Sequence, residues 1–355
     1  DKDGKGIAGI EYSKNQELAE GKDLTLSIDL NIQAILRQEI SAQIDLFEAI
    51  GGAGVIQDIE TGEIVAMVSL PDFDANHFRH ASENQRFNRA ATGVYELGST
   101  FKIFNTAMAL ESGQFQASDM IDVVSPLRVG RFSIRDYHPE KTLLNVAEVL
   151  IVSSNKGSAR IADQLGAEMQ KEYFEQMGFF KAAPLEIPEI GTPLIPSRWG
   201  RAEIMTMSYG HGISITPVHL TSAVATTVGS GMVISPTLIK RTVPNDFDVQ
   251  LFSPDTSAQI RAMMRQVVSH PRGTANFADI DGYAVAGKTG TSEKTSGNGY
   301  NKKANITSFV SVFPAHDPKY VVFAMIDEPK PQKHSFYFAT AGWVAAPVGG
   351  RIIER

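Results

Sequence analysis

The first regular hydrophobic pattern lies in residues 24–28, where apolar and polar side chains alternate. A period of two predicts a strand, and we expect the compact domain to begin near residue 23, after the polar, glycine-rich residues 1–22. Asp29 is suited to cap the N-terminus of a following helix. That helix is predicted by apolar residues at helical spacing, namely Ile32, Ile35, Leu36 and Ile40.

Further apolar segments predict strands at both ends of the chain. Residues 53–57 and 63–68 flank the turn-forming triplet Glu60-Thr-Gly62, which predicts an antiparallel hairpin. Strands are also expected at 283–287, 306–313 and 320–326, before a last helical segment that begins at about residue 342.

Between about residues 88 and 231 the apolar residues recur at helical spacing instead. Thr216 and Pro217 form a cap and first-turn pair for one of these helices. Helices are predicted over 101–110, 143–152, 158–165, 169–177 and 216–228. Strands at both ends and helices between them predict an α+β fold, with an antiparallel sheet flanked by helices and a mostly helical subdomain over residues 88–231.

The composition excludes several classes of function. The 355 residues hold 33 Lys and Arg against 40 Asp and Glu, a net charge of −7, so the basic surface needed for nucleic-acid binding is missing. The lack of cysteine excludes disulfides, thiolate metal sites and a cysteine nucleophile. No apolar run reaches the roughly 18 residues of a membrane span. His77 and His80 have metal-ligand spacing but no third ligand near them in the sequence, so no metal or other cofactor is expected.

The segment Ser99-Thr-Phe-Lys102 has the chemistry of a nucleophile and its base. It follows Gly98 at a predicted helix start, and a spacing of three places the serine and the lysine on one helical face. The helix N-terminus stabilises negative charge that develops on a serine nucleophile. Lys102 can accept a proton only when it is neutral, which requires burial or a neighbouring cation to lower its pKa.

This pattern is not specific by itself. Ser153-Ser-Asn-Lys156 matches it too, and a helix-capping serine followed by a solvated lysine explains either match. Ser153 and Asn155, however, also form a possible second element, in which the hydroxyl relays a proton and the amide holds a peptide backbone.

A third element, Lys288-Thr-Gly290, changes the interpretation. A cation on a strand edge lowers the pKa of Lys102 and attracts a substrate carboxylate. Lys102 precedes Ser153 by 51 positions and Asn155 precedes Lys288 by 133, so the three elements fall on a predicted helix start, a loop between helices and a strand. This order is typical of penicillin-recognising serine enzymes.

The chain resembles the transpeptidase domain of class B, monofunctional, penicillin-binding proteins over about residues 24–350. The KTG third motif resembles the division-specific, septal branch most, as do residues 327–330 (DEPK) and 340–347 (TAGWVAAP). Other similar segments are 6–11 (GIAGIE), 26–33 (LSIDLNIQ), 61–74 (TGEIVAMVSLPDFD), 88–90 (NRA), 95–102 (YELGSTFK), 212–217 (GISITP) and 285–291 (VAGKTGT).

The resemblance implies a fold like that of penicillin-binding proteins and serine β-lactamases, and it assigns roles to residues. Ser99 becomes the acylated nucleophile, Lys102 its general base and Lys288 the cation of the opposite wall. Ser153 relays a proton while Asn155 grips the donor peptide. Thr289, Gly290 and Thr291 bind substrate, and the backbone amides of Ser99 and Thr291 form the oxyanion hole.

The resemblance also implies substrates, partners and location. The substrates are peptidoglycan stem peptides ending in D-Ala-D-Ala, and β-lactams acylate the same serine. The partners are division proteins, including a membrane glycan polymerase, at the periplasmic face of the bacterial inner membrane. Residues 1–22 are expected to be the remnant of a non-catalytic pedestal, residues 23–355 the transpeptidase domain, and the single-pass anchor to lie outside this chain.

Three alternatives stay open at this point. A serine β-lactamase shares the motifs but needs a carboxylate to activate water, for which Glu186 and Glu189 are the candidates. A D-alanyl-D-alanine carboxypeptidase and a non-catalytic sensor of β-lactams or cell-wall peptides are the others. Residues 336–338 (FYF) are interpreted either as an aromatic wall of the site or as packing, and His211 as structural.

Overall fold

The computed structural model describes residues 3–130, 132–241, 249–296 and 299–355. Its strands are β1 Gly51–Asp58, β2 Ile64–Leu70, β3 Met120–Ile121, β4 Leu127–Val129, β5 Phe132–Ile134, β6 Leu144–Asn145, β7 Ala286–Ser296, β8 Gly299–Phe313 and β9 Tyr320–Asp327. Its α-helices are α1 Gly9–Ser13, α2 Asn15–Ala19, α3 Leu30–Leu46, α4 Glu83–Arg86, α5 Lys102–Glu111, α6 Val146–Ile151, α7 Asn155–Leu165, α8 Ala167–Gln176, α9 Arg201–Met207, α10 Pro217–Val228, α11 Pro254–Ser269, α12 Ala341–Val344 and α13 Ala346–Glu354.

Five of the described strands form one antiparallel sheet in the order β2-β1-β9-β8-β7. Strand β1 pairs with β9, so that Gly51 lies opposite Asp327. The sheet is therefore assembled from both ends of the chain, as the hydrophobic pattern predicts. The α+β fold class is confirmed.

Helices cover both faces of this sheet. A Cβ atom on Gly54 would meet Leu36 and Ile40 of α3, whereas Gln57 donates a hydrogen bond to Ser222 of α10. Positions 54 and 57 differ in parity, and successive side chains of a strand point to opposite faces, so α3 and α10 lie on opposite sides. Helix α13 packs against α3. Helix α11 packs against α10 and also against strand β7. The result is a layer of helices, the sheet and a second layer of helices.

The strand prediction for residues 24–28 is wrong. The structure has a single bridge between Leu26 and Ile239 there, with Ser27 N–H donating to the carbonyl of Leu238. Asp29 ends the extended segment because its carboxylate accepts the N–H groups of Asn31 and Ile32 and starts α3. The predicted N-cap is confirmed.

Other elements lie outside the sequence expectations. Helix α11 had no counterpart among them, although Ser253-Pro254 gives the same cap and first-turn signal as Thr216-Pro217. The helix expected from residue 101 begins earlier, as a 3₁₀ turn over Gly98–Phe101 that leads into α5. The pairs β3–β6 and β4–β5 are too short to show a hydrophobic period.

Candidate active site

Ser99 lies in the 3₁₀ turn that precedes α5, and buried aromatic rings support this turn and the helix. The rings of Phe101, Phe104, Phe174 and Phe179 contact one another at centroid distances of 5.4–5.9 Å. All four rings are fully buried, so the helix that carries the nucleophile is anchored in the core. Thr100 strengthens the turn by donating its hydroxyl to the carbonyl of Leu97 at 3.0 Å.

Two glycines allow this turn to touch strand β7. Gly98 has φ +56°, and a Cβ on it would lie 2.9 Å from the carbonyl oxygen of Thr291. A Cβ on Gly290 would lie 2.3 Å from the carbonyl oxygen of Leu97. Any side chain at either position would push the strand away from the serine. The sequence thus brings the backbone of Ser99 beside that of Thr291, the two amides expected to form the oxyanion hole.

The amine of Lys102 is the centre of the site. Its Nζ lies 2.8 Å from Ser99 Oγ and 2.7 Å from Asn155 Oδ1. It also lies 2.8 Å from the carbonyl oxygen of Ser153 and 3.1 Å from its Oγ. A neutral amine has two N–H donors and one lone pair, so a hydroxyl among these four oxygens can turn its proton toward Nζ.

Burial is the main reason why the pKa of Lys102 lies well below its ordinary value. The positive charge of Lys288 lowers that pKa further, while the charge of Asp136 acts in the opposite direction. The requirement stated from the sequence is therefore met, because Lys102 has the lowered pKa that a general base needs.

Lys288 approaches the site from β7 and is also fully buried. Its Nζ donates to Ser153 Oγ at 2.9 Å and to the carbonyl oxygen of Thr289 at 3.1 Å. Burial lowers its pKa to about 7. Thr289 is held in turn by a 2.6 Å hydrogen bond between its hydroxyl and that of Thr274.

Strand β7 is also tied to the C-terminal part of the chain. The hydroxyl of Thr291 accepts the N–H of Ala341 at 3.0 Å. The structure thus brings together the residues singled out from the sequence, namely Ser99, Lys102, Ser153, Asn155, Lys288, Thr289, Gly290 and Thr291.

Arg135 and Asp136, which sequence reasoning missed, hold the second element, formed by Ser153 and Asn155, in place. Ser153 has φ +63°, and Asn155 Nδ2 donates to the carbonyl oxygen of Arg135 at 3.1 Å. Asp136 accepts the hydroxyl of Ser154 and the N–H of Lys156, each at 3.0 Å. The only sequence signal for this role was a carboxylate in the polar segment before α6, which is common in any loop.

Lys156 does not belong to the site. It is nearly buried, and its Nζ donates to the carbonyl oxygen of Val124 at 3.1 Å. Ser154 caps α7 through the N–H of Gly157. The second match to the Ser-x-x-Lys pattern is therefore a helix start whose lysine points away from Ser153.

The residues 52–354 match the family model of the penicillin binding protein transpeptidase domain. The chain belongs to this family. It is 38% identical over 369 residues to a probable peptidoglycan D,D-transpeptidase FtsI of Caulobacter vibrioides, an alignment that covers 100% of this chain and 62% of that protein. It is 29% identical to the peptidoglycan D,D-transpeptidase FtsI of Escherichia coli over 97% of this chain and 57% of that protein. The chain thus spans about three fifths of the length of these relatives.

A solved structure agrees with this assignment. The chain superposes on the apo transpeptidase domain of Burkholderia pseudomallei penicillin-binding protein 3 with a TM-score of 0.82 and 30% identity, over 93% of this chain and 94% of that one. The transpeptidase fold expected from the resemblance is therefore confirmed.

Glu96 and the rings beside it form a separate group of contacts that sequence reasoning missed. Glu96 Oε1 accepts the N–H of Gly212 at 2.9 Å and the hydroxyl of Tyr300 at 3.2 Å, and its carbonyl oxygen accepts the hydroxyl of Ser292. Burial raises the pKa of Glu96 despite the hydrogen bonds from Gly212 and Tyr300. His211, for which a structural role is expected, packs its ring against that of Tyr300.

Two of the aromatic residues 336–338 pack, which agrees with one of the two interpretations considered for them. The rings of Phe336 and Phe338 lie 5.8 and 6.1 Å from that of Trp343, so they do pack. Phe336, Tyr337 and Phe338 are nevertheless 72%, 69% and 46% exposed. They form an exposed aromatic surface that precedes Ala341, the residue bonded to Thr291.

The metal-ligand candidate His77 takes no part in the network around Lys102. His77 is exposed and pairs with Asp74 at 2.7 Å. Across the described ranges, no group of three His, Asp or Glu side chains is arranged to hold a metal ion. Within the same ranges, no helix combines the length and apolar character needed to cross a bilayer.

Proposed function

We propose that this chain is the catalytic domain of a peptidoglycan D,D-transpeptidase that acts through a serine acyl-enzyme and is acylated by β-lactams. One observation carries the proposal: the buried amine of Lys102 contacts Ser99 Oγ at 2.8 Å and Ser153 at 2.8 and 3.1 Å. A nucleophile, a base of lowered pKa and a second hydroxyl are thus connected in one hydrogen-bond network.

In the first half-reaction, Ser99 Oγ attacks the carbonyl carbon of the penultimate D-Ala, and neutral Lys102 takes its proton. The oxyanion is stabilised by the amides of Ser99 and Thr291. As the C–N bond breaks, the proton passes through Ser153 to the amine of the departing D-Ala. The charge of Lys288 attracts the terminal carboxylate of the substrate.

In the second half-reaction, the amine of a neighbouring stem peptide attacks the ester carbon of acyl-Ser99. A C–N bond forms and the C–Oγ bond breaks. The amine loses a proton to the Lys102 and Ser153 network, which returns one to Ser99 Oγ. With a β-lactam the cleaved amide lies in a ring, so the leaving amine stays attached and the acyl-enzyme persists.

The biological setting belongs to the same proposal. Relatives named FtsI support a role in septal cell-wall synthesis during division, with division proteins and a membrane glycan polymerase as partners. We place the domain at the periplasmic face of the bacterial inner membrane. In the same proposal residues 23–355 form the transpeptidase domain, residues 88–231 its helical subdomain, and residues 1–22 the end of a pedestal.

The two carboxylates considered for the hydrolytic alternative, Glu186 and Glu189, are engaged in hydrogen bonds elsewhere. Glu186 accepts the hydroxyl of Thr237 at 2.5 Å and the N–H of Leu238 at 2.8 Å. Glu189 accepts the N–H of Gly9 at 3.1 Å. Both carboxylates hold loops together, so stable acylation is expected instead of rapid turnover of β-lactams.

The test is intact-protein mass spectrometry after addition of a penicillin, with peptide mapping of the adduct over hours. The expected result is a stable one-to-one adduct on Ser99, lost in Ser99→Ala and retained in part in Ser153→Ala. Labelling that persists in Ser99→Ala would disprove the nucleophile. An adduct that vanishes while hydrolysed drug accumulates would indicate a β-lactamase, and no adduct at all would favour a non-catalytic sensor.

A further inference from the structure

A line of three rings leads from the general base to the surface of the protein. The ring of Tyr209 lies 6.0 Å from Lys102 Nζ. His211 lies 5.2 Å from Tyr209 and 5.6 Å from Tyr300, measured between ring centroids. Tyr300 is 45% exposed, so the line ends in solvent. We call Tyr209, His211 and Tyr300 the outer wall.

The side chain of Glu96 holds this wall in place from behind. Its Oε1 accepts the N–H of Gly212, directly after His211, and the hydroxyl of Tyr300 from strand β8. Two residues separated by 88 positions thus share one carboxylate oxygen. The link from Glu96 to strand β7 is different, because the hydroxyl of Ser292 donates to a backbone carbonyl that any residue at position 96 provides.

The charges favour an amine at this wall. In water a primary amine carries a positive charge, which the charge of Lys288 repels at the nucleophile. The faces of the tyrosine rings attract cations. Burial and the charge of Lys102 lower the pKa of His211 to about 4, so its imidazole is neutral near neutral pH and adds no repulsion.

We propose that the outer wall receives the acceptor amine of the second half-reaction and that Glu96 is its positioning residue. This inference rests on the proposed transpeptidase function. The donor peptide occupies the space between Asn155 and β7, so the acceptor requires another approach to acyl-Ser99. The ammonium first releases one proton to solvent at the exposed end of the wall. Its neutral nitrogen then forms the new C–N bond with acyl-Ser99 as the C–Oγ bond breaks, and its second proton passes through the network of Lys102 to Ser99 Oγ.

The two half-reactions separate this role from a merely structural one. Acylation by penicillin uses no acceptor, whereas transfer from a D-alanyl thioester to an added D-amino acid does. The measured quantities are the acylation rate and the ratio of amide product to hydrolysed product. Glu96→Ala is expected to lower this ratio about fivefold, the value of one net hydrogen bond, and to change acylation by less than about twofold.

Three further variants sharpen the test. Glu96→Gln keeps an oxygen for both donors and is expected to restore the ratio to within about twofold of the wild type. Tyr300→Phe removes only the hydroxyl of an exposed ring and is expected to lower the ratio less than Glu96→Ala does. Glu60→Gln removes an exposed charge from the turn between β1 and β2, at the other side of the sheet from β8, and it is expected to leave the ratio unchanged.

Equal losses in acylation and in the product ratio for Glu96→Ala would overturn the proposal, as would an unchanged ratio. A Glu96→Gln variant as defective as Glu96→Ala would contradict positioning through accepted hydrogen bonds. If Glu96→Ala does not fold, Tyr300→Phe decides, and an unchanged ratio in that variant is contrary evidence. A wild-type chain that fails to react with penicillin would instead refute the proposed function itself.

Discussion

Lys102 and Lys288 share one hydrogen-bond partner, with their Nζ atoms 3.1 and 2.9 Å from Ser153 Oγ. Both side chains are buried, one at the start of α5 and the other on β7. Two ammonium groups this close repel each other, so a charge on one lysine lowers the pKa of the other. The arrangement keeps Lys102 ready to accept a proton.

The first prediction concerns Lys288→Met, which removes this charge while filling the space. The pKa of Lys102 should rise toward its ordinary value, so less neutral amine is present at pH 7. We expect the acylation rate by penicillin to fall at least about tenfold at pH 7, which is part of the roughly 100- to 10,000-fold that a general base contributes. The rise of the rate with pH should move to higher pH, measured by stopped-flow kinetics.

Asp136→Asn should act in the opposite direction. The charge of Asp136 raises the pKa of Lys102, so its removal lowers that pKa and moves the rise of the acylation rate to lower pH. The asparagine oxygen can still accept the N–H of Lys156. Shifts of the same sign in Asp136→Asn and Lys288→Met would contradict the electrostatic explanation.

A third prediction links Lys288 to stability. The folded protein lowers its pKa from 10.5 to about 7, so the unfolded chain binds more protons between these values. This lysine therefore makes the free energy of unfolding rise by about 1.4 kcal/mol per pH unit over that window. Urea unfolding between pH 7.5 and 9.5 should show a smaller slope in Lys288→Met. An identical slope would mean that Lys288 keeps an ordinary pKa.

Gly290→Ala tests the close approach of β7 to the nucleophile turn. The added Cβ would lie 2.3 Å from the carbonyl oxygen of Leu97, so the strand must shift. We expect acylation to fall by about 100-fold, the scale of a misplaced or lost oxyanion donor. Gly282→Ala is the control, since its Cβ meets nothing within 4 Å and only its φ of +84° is strained. A similar loss of acylation in both variants would point to general destabilisation.

Asp327→Ala should weaken the fold and leave the site of acylation unchanged. Asp327 and Arg89 are buried and lie 3.5 Å apart, and Lys294 Nζ lies 2.5 Å from the same carboxylate. Loss of the carboxylate leaves a buried cation unpaired, which should lower the free energy of unfolding by about 3 kcal/mol. Asp72→Ala breaks an exposed pair with Arg37 and should cost about 1 kcal/mol or less. Equal costs in chemical denaturation would contradict this difference.

Local patterns in the chain are sufficient to predict much of this protein. A period of two or 3.6 residues is a local property, and so the hairpin of β1 and β2, the cap at Asp29 and the start of α10 at Pro217 are predicted correctly. The spacing of Ser99 and Lys102 likewise fixes their contact, because three positions are nearly one helical turn. The isolated bridge at Leu26 shows the limit, since alternation alone does not supply a partner strand.

Tertiary structure decides what these patterns leave open. Ser99 and Ser153 both begin a Ser-x-x-Lys pattern, but packing directs Lys102 to both serines and directs Lys156 to the carbonyl of Val124. The lowered pKa of Lys102 depends on burial and on a lysine 186 positions away. The outer wall joins Tyr209 and His211 to Tyr300, and Glu96 holds them together. No periodicity encodes this proximity, because contacts between distant segments form only when the sheet and its helices pack.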